Sequence, residues 1–142
     1  MTKYCDNSDY GYNGYFDNMT TLLPEDDPAT ANWGGDWRTP TFEEWQELLN
    51  NTTVTYETHY TVKCIRFTAA NGRSIFLPAA GVYDDSGLIY PGSEGDYWSS
   101  SLTTGNPDRA WYLGFFTGHC SMYNYQRYYG RSVRPVRTPR RN

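Results

Sequence analysis

Glycine and proline recur along the whole of this chain, thirteen and eight times in 142 residues. Both types interrupt helix and strand interiors, glycine through its entropy and proline through its missing amide hydrogen. Long helices packed as a bundle are therefore not expected. With charged residues at 20% and aromatics at 18%, the profile is a loop-rich globular fold of short strands, not a disordered tail. The length suits one domain with a sizeable core, and residues 1–142 are read as one. Fourteen of those residues are tyrosine. Tyrosine covers much area at little entropic cost and carries a hydroxyl, so it suits a wet core edge or a binding face.

One helix is unambiguous. Thr41 is placed to cap the amide of Glu44, whose side chain can reach back to the amide of Thr41. Phe42, Trp45, Leu48 and Leu49 then recur at helical spacing as one apolar stripe, and Asn50-Asn51 ends it. Glu43, Glu44 and Glu47 lie elsewhere on this helix and suit its positive end. Before it, residues 1–37 read as irregular structure or short strands, tied down by Trp33 and Trp37 around a Gly34-Gly35 turn.

After the helix, Thr52–Tyr56 and Tyr60–Thr68 are strand-like, and Asn71-Gly72 signals a hairpin into Ser74–Leu77. Residues 82–96 read as a long loop. Ala110–Phe116 alternates as a strand, with Trp111, Leu113 and Phe115 on one face and Tyr112, Gly114 and Phe116 on the other. Thr117-Gly118 can turn the chain into a second strand over His119–Tyr125, and Ser132–Val136 is a candidate closing strand. The expected class is thus α+β, with short, mostly antiparallel strands and one or two helices.

A net charge of −4 argues against a nucleic-acid partner. Arg131, Arg134, Arg137, Arg140 and Arg141 crowd the end, opposite an early Glu25-Asp26-Asp27; they read as a solvated tail and internally paired arginines. Cys5, Cys64 and Cys120 allow one internal pair at most, Cys5–Cys64 being one possibility, and their spacing does not resemble a zinc site. The start, Met1-Thr2-Lys3-Tyr4, lacks the apolar run of a secretory leader, and no stretch approaches membrane-spanning length, so no direct membrane insertion is expected.

Four separated motifs carry a resemblance. Trp33-Gly34-Gly35-Asp36-Trp37-Arg38-Thr39-Pro40-Thr41 with Glu44-Trp45, Ile75-Phe76-Leu77-Pro78-Ala79-Ala80-Gly81, Tyr97-Trp98-Ser99-Ser100-Ser101, and Ser132-Val133-Arg134-Pro135-Val136-Arg137 occur in that order. From about residue 4 to 137 the chain resembles the Fibrobacter succinogenes major-paralogue type of domain, found in gut Bacteroidetes and their phages. That resemblance implies a C-type lectin-like fold. It says much less about function, because this fold hosts unrelated activities.

The final third also resembles the variable region of a diversity-generating retroelement target. Such systems write adenine-directed errors into the end of a C-type lectin-like gene. From an asparagine codon these errors reach Tyr, His, Asp, Ser, Cys, Arg, Gly and Phe, but not Lys, Glu, Gln, Met or Trp. Between Thr103 and Arg131 there is no Lys and no Glu. The resemblance implies a variable ligand-binding region over 103–131, with candidate contact positions Asn106, Asp108, Arg109, Tyr112, Gly114, Phe116, His119, Cys120, Ser121, Tyr123, Asn124, Tyr125, Tyr128, Tyr129 and Arg131. Trp111, Leu113, Phe115, Met122, Arg127 and Gly130 would be fixed framework, and Gln126 falls outside the rule. The mixture of Tyr, Ser, Gly, Asn and Arg is close to an antibody paratope, with rigid aromatic anchors beside adaptable polar groups.

Catalysis is not expected. Cys120 has no second cysteine nearby, Ser99-Ser100-Ser101 lacks a nucleophile-elbow setting, and His59 and His119 form no His-x-His or His-plus-carboxylate cluster for a metal. Asn106-Pro107-Asp108 only partly matches a calcium-lectin loop. The expected function is therefore non-enzymatic binding of a protein or glycan on a cell surface, without cofactor or metal, at a virion or bacterial surface. The alternative is a fixed carbohydrate-binding or adhesive domain.

Overall fold

The computed structural model describes residues 1–139, so Arg140 and Arg141 lie outside the described residues. The fold is α+β. Two short 3-10 turns, Ser8–Tyr10 and Tyr12–Gly14, precede helix α1 (Pro28–Trp33), strand β1 (Trp37–Arg38) and helix α2 (Phe42–Asn51). Then come β2 (Thr52–His59), β3 (Val62–Ala69), β4 (Ser74–Pro78), β5 (Val82–Asp84) and β6 (Gly87–Ile89). The chain ends in β7 (Gly95–Leu102), β8 (Arg109–Phe116), β9 (His119–Gln126) and β10 (Val136–Arg137). The strands form the small sheets β2-β3-β4, β7-β8-β9, β5-β6 and β1-β10, all antiparallel.

Helix α2 forms as its sequence dictates. Thr41 Oγ1 accepts from the Glu44 amide at 3.2 Å, and Glu44 Oε2 accepts from the Thr41 amide at 2.9 Å. Arg38 Nη1 and Nη2 donate to the same carboxylate, at 2.7 and 2.5 Å. These bonds anchor the helix start to β1. The apolar stripe then packs on the core: Trp45 is buried, and Phe42, Leu48 and Leu49 lie against the cluster. That cluster joins both large sheets, with Ile65, Phe67 and Leu77 from one and Tyr97, Leu113, Phe115 and Met122 from the other. Full burial of side chains of this size contributes about 1.5–3 kcal/mol each. The sheet is packed tightly enough that a Cβ on Gly95 would lie 2.2 Å from Cζ of the buried Phe115 ring.

The N-terminal third, read as irregular structure or short strands, is largely irregular but also contains helix α1. Asp27 caps α1 and Pro28 opens it, a favoured pair at a helix start. The buried Asp27 carboxylate accepts from the Ala29 amide at 2.9 Å, the Thr39 amide at 2.9 Å and the Thr39 hydroxyl at 2.8 Å. Trp33 and Trp37 do not tie this region down: they meet edge to face at 5.4 Å but stay exposed, Trp33 at 61%. The tie is a second apolar cluster, in which Tyr4 and the flanking Met19, Leu22 and Leu23 cover Leu102 and Ala110.

Two other expectations are corrected. Residues 82–96 are not one loop, since β5 and β6 form a hairpin within them. Ser132–Val136 is not a continuous strand; Ser132 bridges Tyr97, and only Val136 and Arg137 pair, with β1. The β2–β3 turn uses Tyr60 and Thr61 at φ 48° and 71°, the left-handed pair that a tight hairpin demands although neither is glycine or asparagine. Cys5, Cys64 and Cys120 are all free thiols, so Cys5–Cys64 is not bridged. Among the described residues, no helix is long and apolar enough to cross a membrane.

Candidate ligand-binding face

The geometry of β7-β8-β9 decides which candidate residues reach solvent. Residues directly opposite in an antiparallel pair share a face, and the faces alternate along each strand. Leu113 lies opposite Met122 and Phe115 opposite Cys120, on the core side. The opposite face carries Tyr112 across from Tyr123, Gly114 across from Ser121 and Phe116 across from His119. On β7, Asp96 and Trp98 lie across from Gly114 and Tyr112, on that same outer face.

The candidate positions therefore separate into groups. Phe116, His119, Ser121, Tyr125 and Tyr128 are exposed, Tyr128 at 70%. Tyr123 and Tyr129 are half-buried beside them. The tyrosines form two ring groups, Tyr112–Tyr123 at 5.9 Å and Tyr125–Tyr129–Tyr128 at 5.1 Å and 4.7 Å, and the Arg131 guanidinium approaches rings of both. Arg109 is half-buried and sits 5.6 Å from the Tyr125 ring. Asn106 is exposed and Asp108 half-buried in the β7–β8 loop. The Asp6 carboxylate and the Asn7 amide hold Gly105 of that loop against the N-terminal segment.

Four candidates are held by contacts within the domain. Cys120 packs against the core opposite Phe115, and burial pushes its thiol up to about 12. Asn124 lies opposite Trp111, with its side-chain oxygen 3.4 Å from Arg109 Nη1. Gly114 is buried beneath two rings: a Cβ there would lie 2.9 Å from Tyr123 Cδ2 and 3.1 Å from Tyr112 Cε2. The fourth is Arg131, whose side chain is only 4% exposed.

Arg131 is the centre of the face. Its guanidinium lies 3.9 Å from the Tyr112 ring centroid, 4.5 Å from Trp98 and 5.3 Å from Tyr129. Its Nε is 3.3 Å from Asp96 Oδ2. Backbone bonds fix the chain on both sides, because Gly130 exchanges two bonds with Tyr83 and the Ser132 amide donates to Asp96 O at 3.1 Å. A guanidinium is flat, delocalised and weakly hydrated, so it can be sandwiched among rings as an ammonium cannot. Asp96, Trp98 and Tyr83 were not among the sequence candidates. The alternation of Asp96 and Trp98 along β7 was the available signal.

Burial pushes the Asp96 carboxyl up to about 6, against the opposing pull of Arg131. The unfolded chain takes up this proton only near pH ~4. Asp96 therefore adds stability as pH falls from about 6 towards 4, and that contribution is lost as pH rises through about 6. Thermal melts of wild type and Asp96→Asn over this range check it: the difference between the two curves should change across the window. A constant difference would show that Asp96 does not titrate there.

The chain matches the family model described as the Lcl C-terminal domain over residues 16–137. No curated protein and no solved structure matches it. With that match running from residue 16 to the end of β10, the chain belongs to the Lcl C-terminal domain family and has its C-type lectin-like fold.

Proposed function

We propose that this domain is a non-enzymatic binding module whose outer β8–β9 face docks a protein or glycan on a cell surface, and that a retroelement diversifies the face. It would work at a virion or bacterial surface, without cofactor or nucleic acid. The observation that carries the reading is the run of Tyr123, Tyr125, Tyr128 and Tyr129, with Phe116 and His119, on a sheet whose other face is core. Rigid aromatic anchors of this kind dominate binding energy at contact surfaces. The codon pattern of residues 103–131 supports diversification.

Sequencing many copies of the locus with flanking DNA from one population tests the diversification. Differences should fall at adenine-derived codons within 103–131, and a near-copy template should adjoin a reverse transcriptase. Identical copies, or differences spread evenly, would leave the fixed carbohydrate-binding or adhesive alternative. On the protein, Phe116→Ala, Tyr125→Ala and Tyr128→Ala should each change stability by no more than ~0.5 kcal/mol. Together they should abolish binding to any ligand found on glycan or cell-surface protein arrays. Tyr112→Ala should instead lower the melting temperature, because Tyr112 supports Arg131.

A further inference from the structure

A different cluster lies beside the Phe116 end of the tyrosine face. The sequence suggested no His-plus-carboxylate cluster, but strand pairing assembles one on the β2–β3 hairpin. Glu57 and His59 are two residues apart on β2 and so share a face, and Cys64 on β3 lies directly opposite Glu57. One ligand atom from each, His59 nitrogen, Glu57 carboxylate oxygen and Cys64 Sγ, lies within 4.8 Å of the other two. His59 Nε2 is 2.6 Å from Glu57 Oε2.

We propose that Glu57, His59 and Cys64 form a binding site for a zinc-type divalent cation. Three features favour it. The donor set of imidazole, carboxylate and thiolate is one that zinc accepts, and three protein ligands leave a fourth position for water or a ligand atom. Glu57 and Cys64 line a cleft of about 240 Å³, shared with Tyr56, Lys63 and Phe116, so two of the three ligands face an open cavity. The orienting groups are also in place. Arg66 Nε donates to Glu57 Oε1 at 2.8 Å, which leaves Oε2 for the metal, and Arg66 Nη1 donates to Ser74 Oγ at 2.8 Å. The His59 ring is stacked on Phe76 at 5.5 Å. Outer partners of this kind hold metal ligands in position.

Binding breaks the S–H bond of Cys64 and forms a metal–sulfur bond, the proton leaving to solvent. The ion takes the place between His59 Nε2 and Glu57 Oε2, so neutral His59 keeps its hydrogen on Nδ1. To take Nη2, now 3.5 Å from His59 Nε2, away from the ion, the planar Arg66 guanidinium turns as a unit about its Nε bond to Glu57 and gives up the Nη1 bond to Ser74. No electron is transferred.

The test uses the metal-free chain with all thiols reduced, titrated with zinc chloride by calorimetry and with cobalt(II) by absorption. The expected result is one ion per chain and a thiolate-to-cobalt charge-transfer band. Cys64→Ser should remove the band, and Cys120→Ser should leave it. Because Cys64 is buried, its variant can perturb folding, so His59→Gln at a partly exposed side chain serves as the second variant. It should weaken zinc binding at least tenfold while its melting temperature without metal stays that of the wild type. Absence of stoichiometric binding, a band that survives Cys64→Ser, or unchanged zinc affinity in His59→Gln overturns the proposal.

Discussion

Replacing Arg131 with alanine is expected to cost about 3–5 kcal/mol of stability, as does removal of one partner from other buried ion pairs. The loss has two sources. Asp96 keeps its place in the sheet with only 10% of its side chain exposed, and its carboxylate loses the nearest cation. The rings of Trp98, Tyr112 and Tyr129 lose the plate they pack on, which leaves a void. Arg131→Lys keeps the charge but not the flat stacking surface, so it should recover only part of the loss. Denaturant unfolding measures the stability, and near-UV circular dichroism reports the aromatic packing. A loss below ~1 kcal/mol with an unchanged aromatic signal would place Arg131 among ordinary surface residues.

Trp45→Ala is expected to be as severe, at about 3–5 kcal/mol for a large aromatic removed from a packed core. Trp45 is 2% exposed and joins α2 to both large sheets. Its indole also donates to Trp98 O at 3.3 Å. Trp98 is one of the rings beneath Arg131, so this bond links the helix to the far side of β7. Trp45→Phe keeps most of the apolar area and should cost clearly less than the alanine variant. Equal losses for the two would assign the effect to the indole hydrogen bond rather than to packing. An unchanged melting temperature in Trp45→Ala would overturn the core assignment itself.

The parts of this fold that were legible in the sequence rest on local chemistry. Thr41 and Glu44 define the start of α2 by reciprocal hydrogen bonds that need no distant partner. Trp111, Leu113 and Phe115 reveal β8 by alternation. The misreadings are where distant contacts decide. Asp27-Pro28 is a good helix start, but α1 is only six residues long and is held by Thr39 from outside it. Nothing near Arg131 in sequence shows that Asp96 will lie against it.

The placement of Cys120 and Asn124 follows from alternation along β9. With Met122 taken as core, strand alternation alone puts residues 120 and 124 on the core side, and the pairing with Phe115 and Trp111 agrees. The codon rule says which residues adenine-directed errors can reach but carries no information about direction. Read together, the two signals separate Cys120 and Asn124 from Ser121, Tyr123 and Tyr125. They do not identify Arg131, which lies beyond the strand.

The position of Arg131 would limit how many useful proteins a gene diversified over codons 103–131 could encode. If codon 131 is randomised with the others, every copy that exchanges arginine for a small residue also removes the centre of its own face, whatever its tyrosines would recognise. Such copies would be lost to misfolding before any ligand could select among them. The working repertoire would then be smaller than the number of codon combinations, and surviving chains should be enriched in arginine at 131 even when they bind unrelated targets.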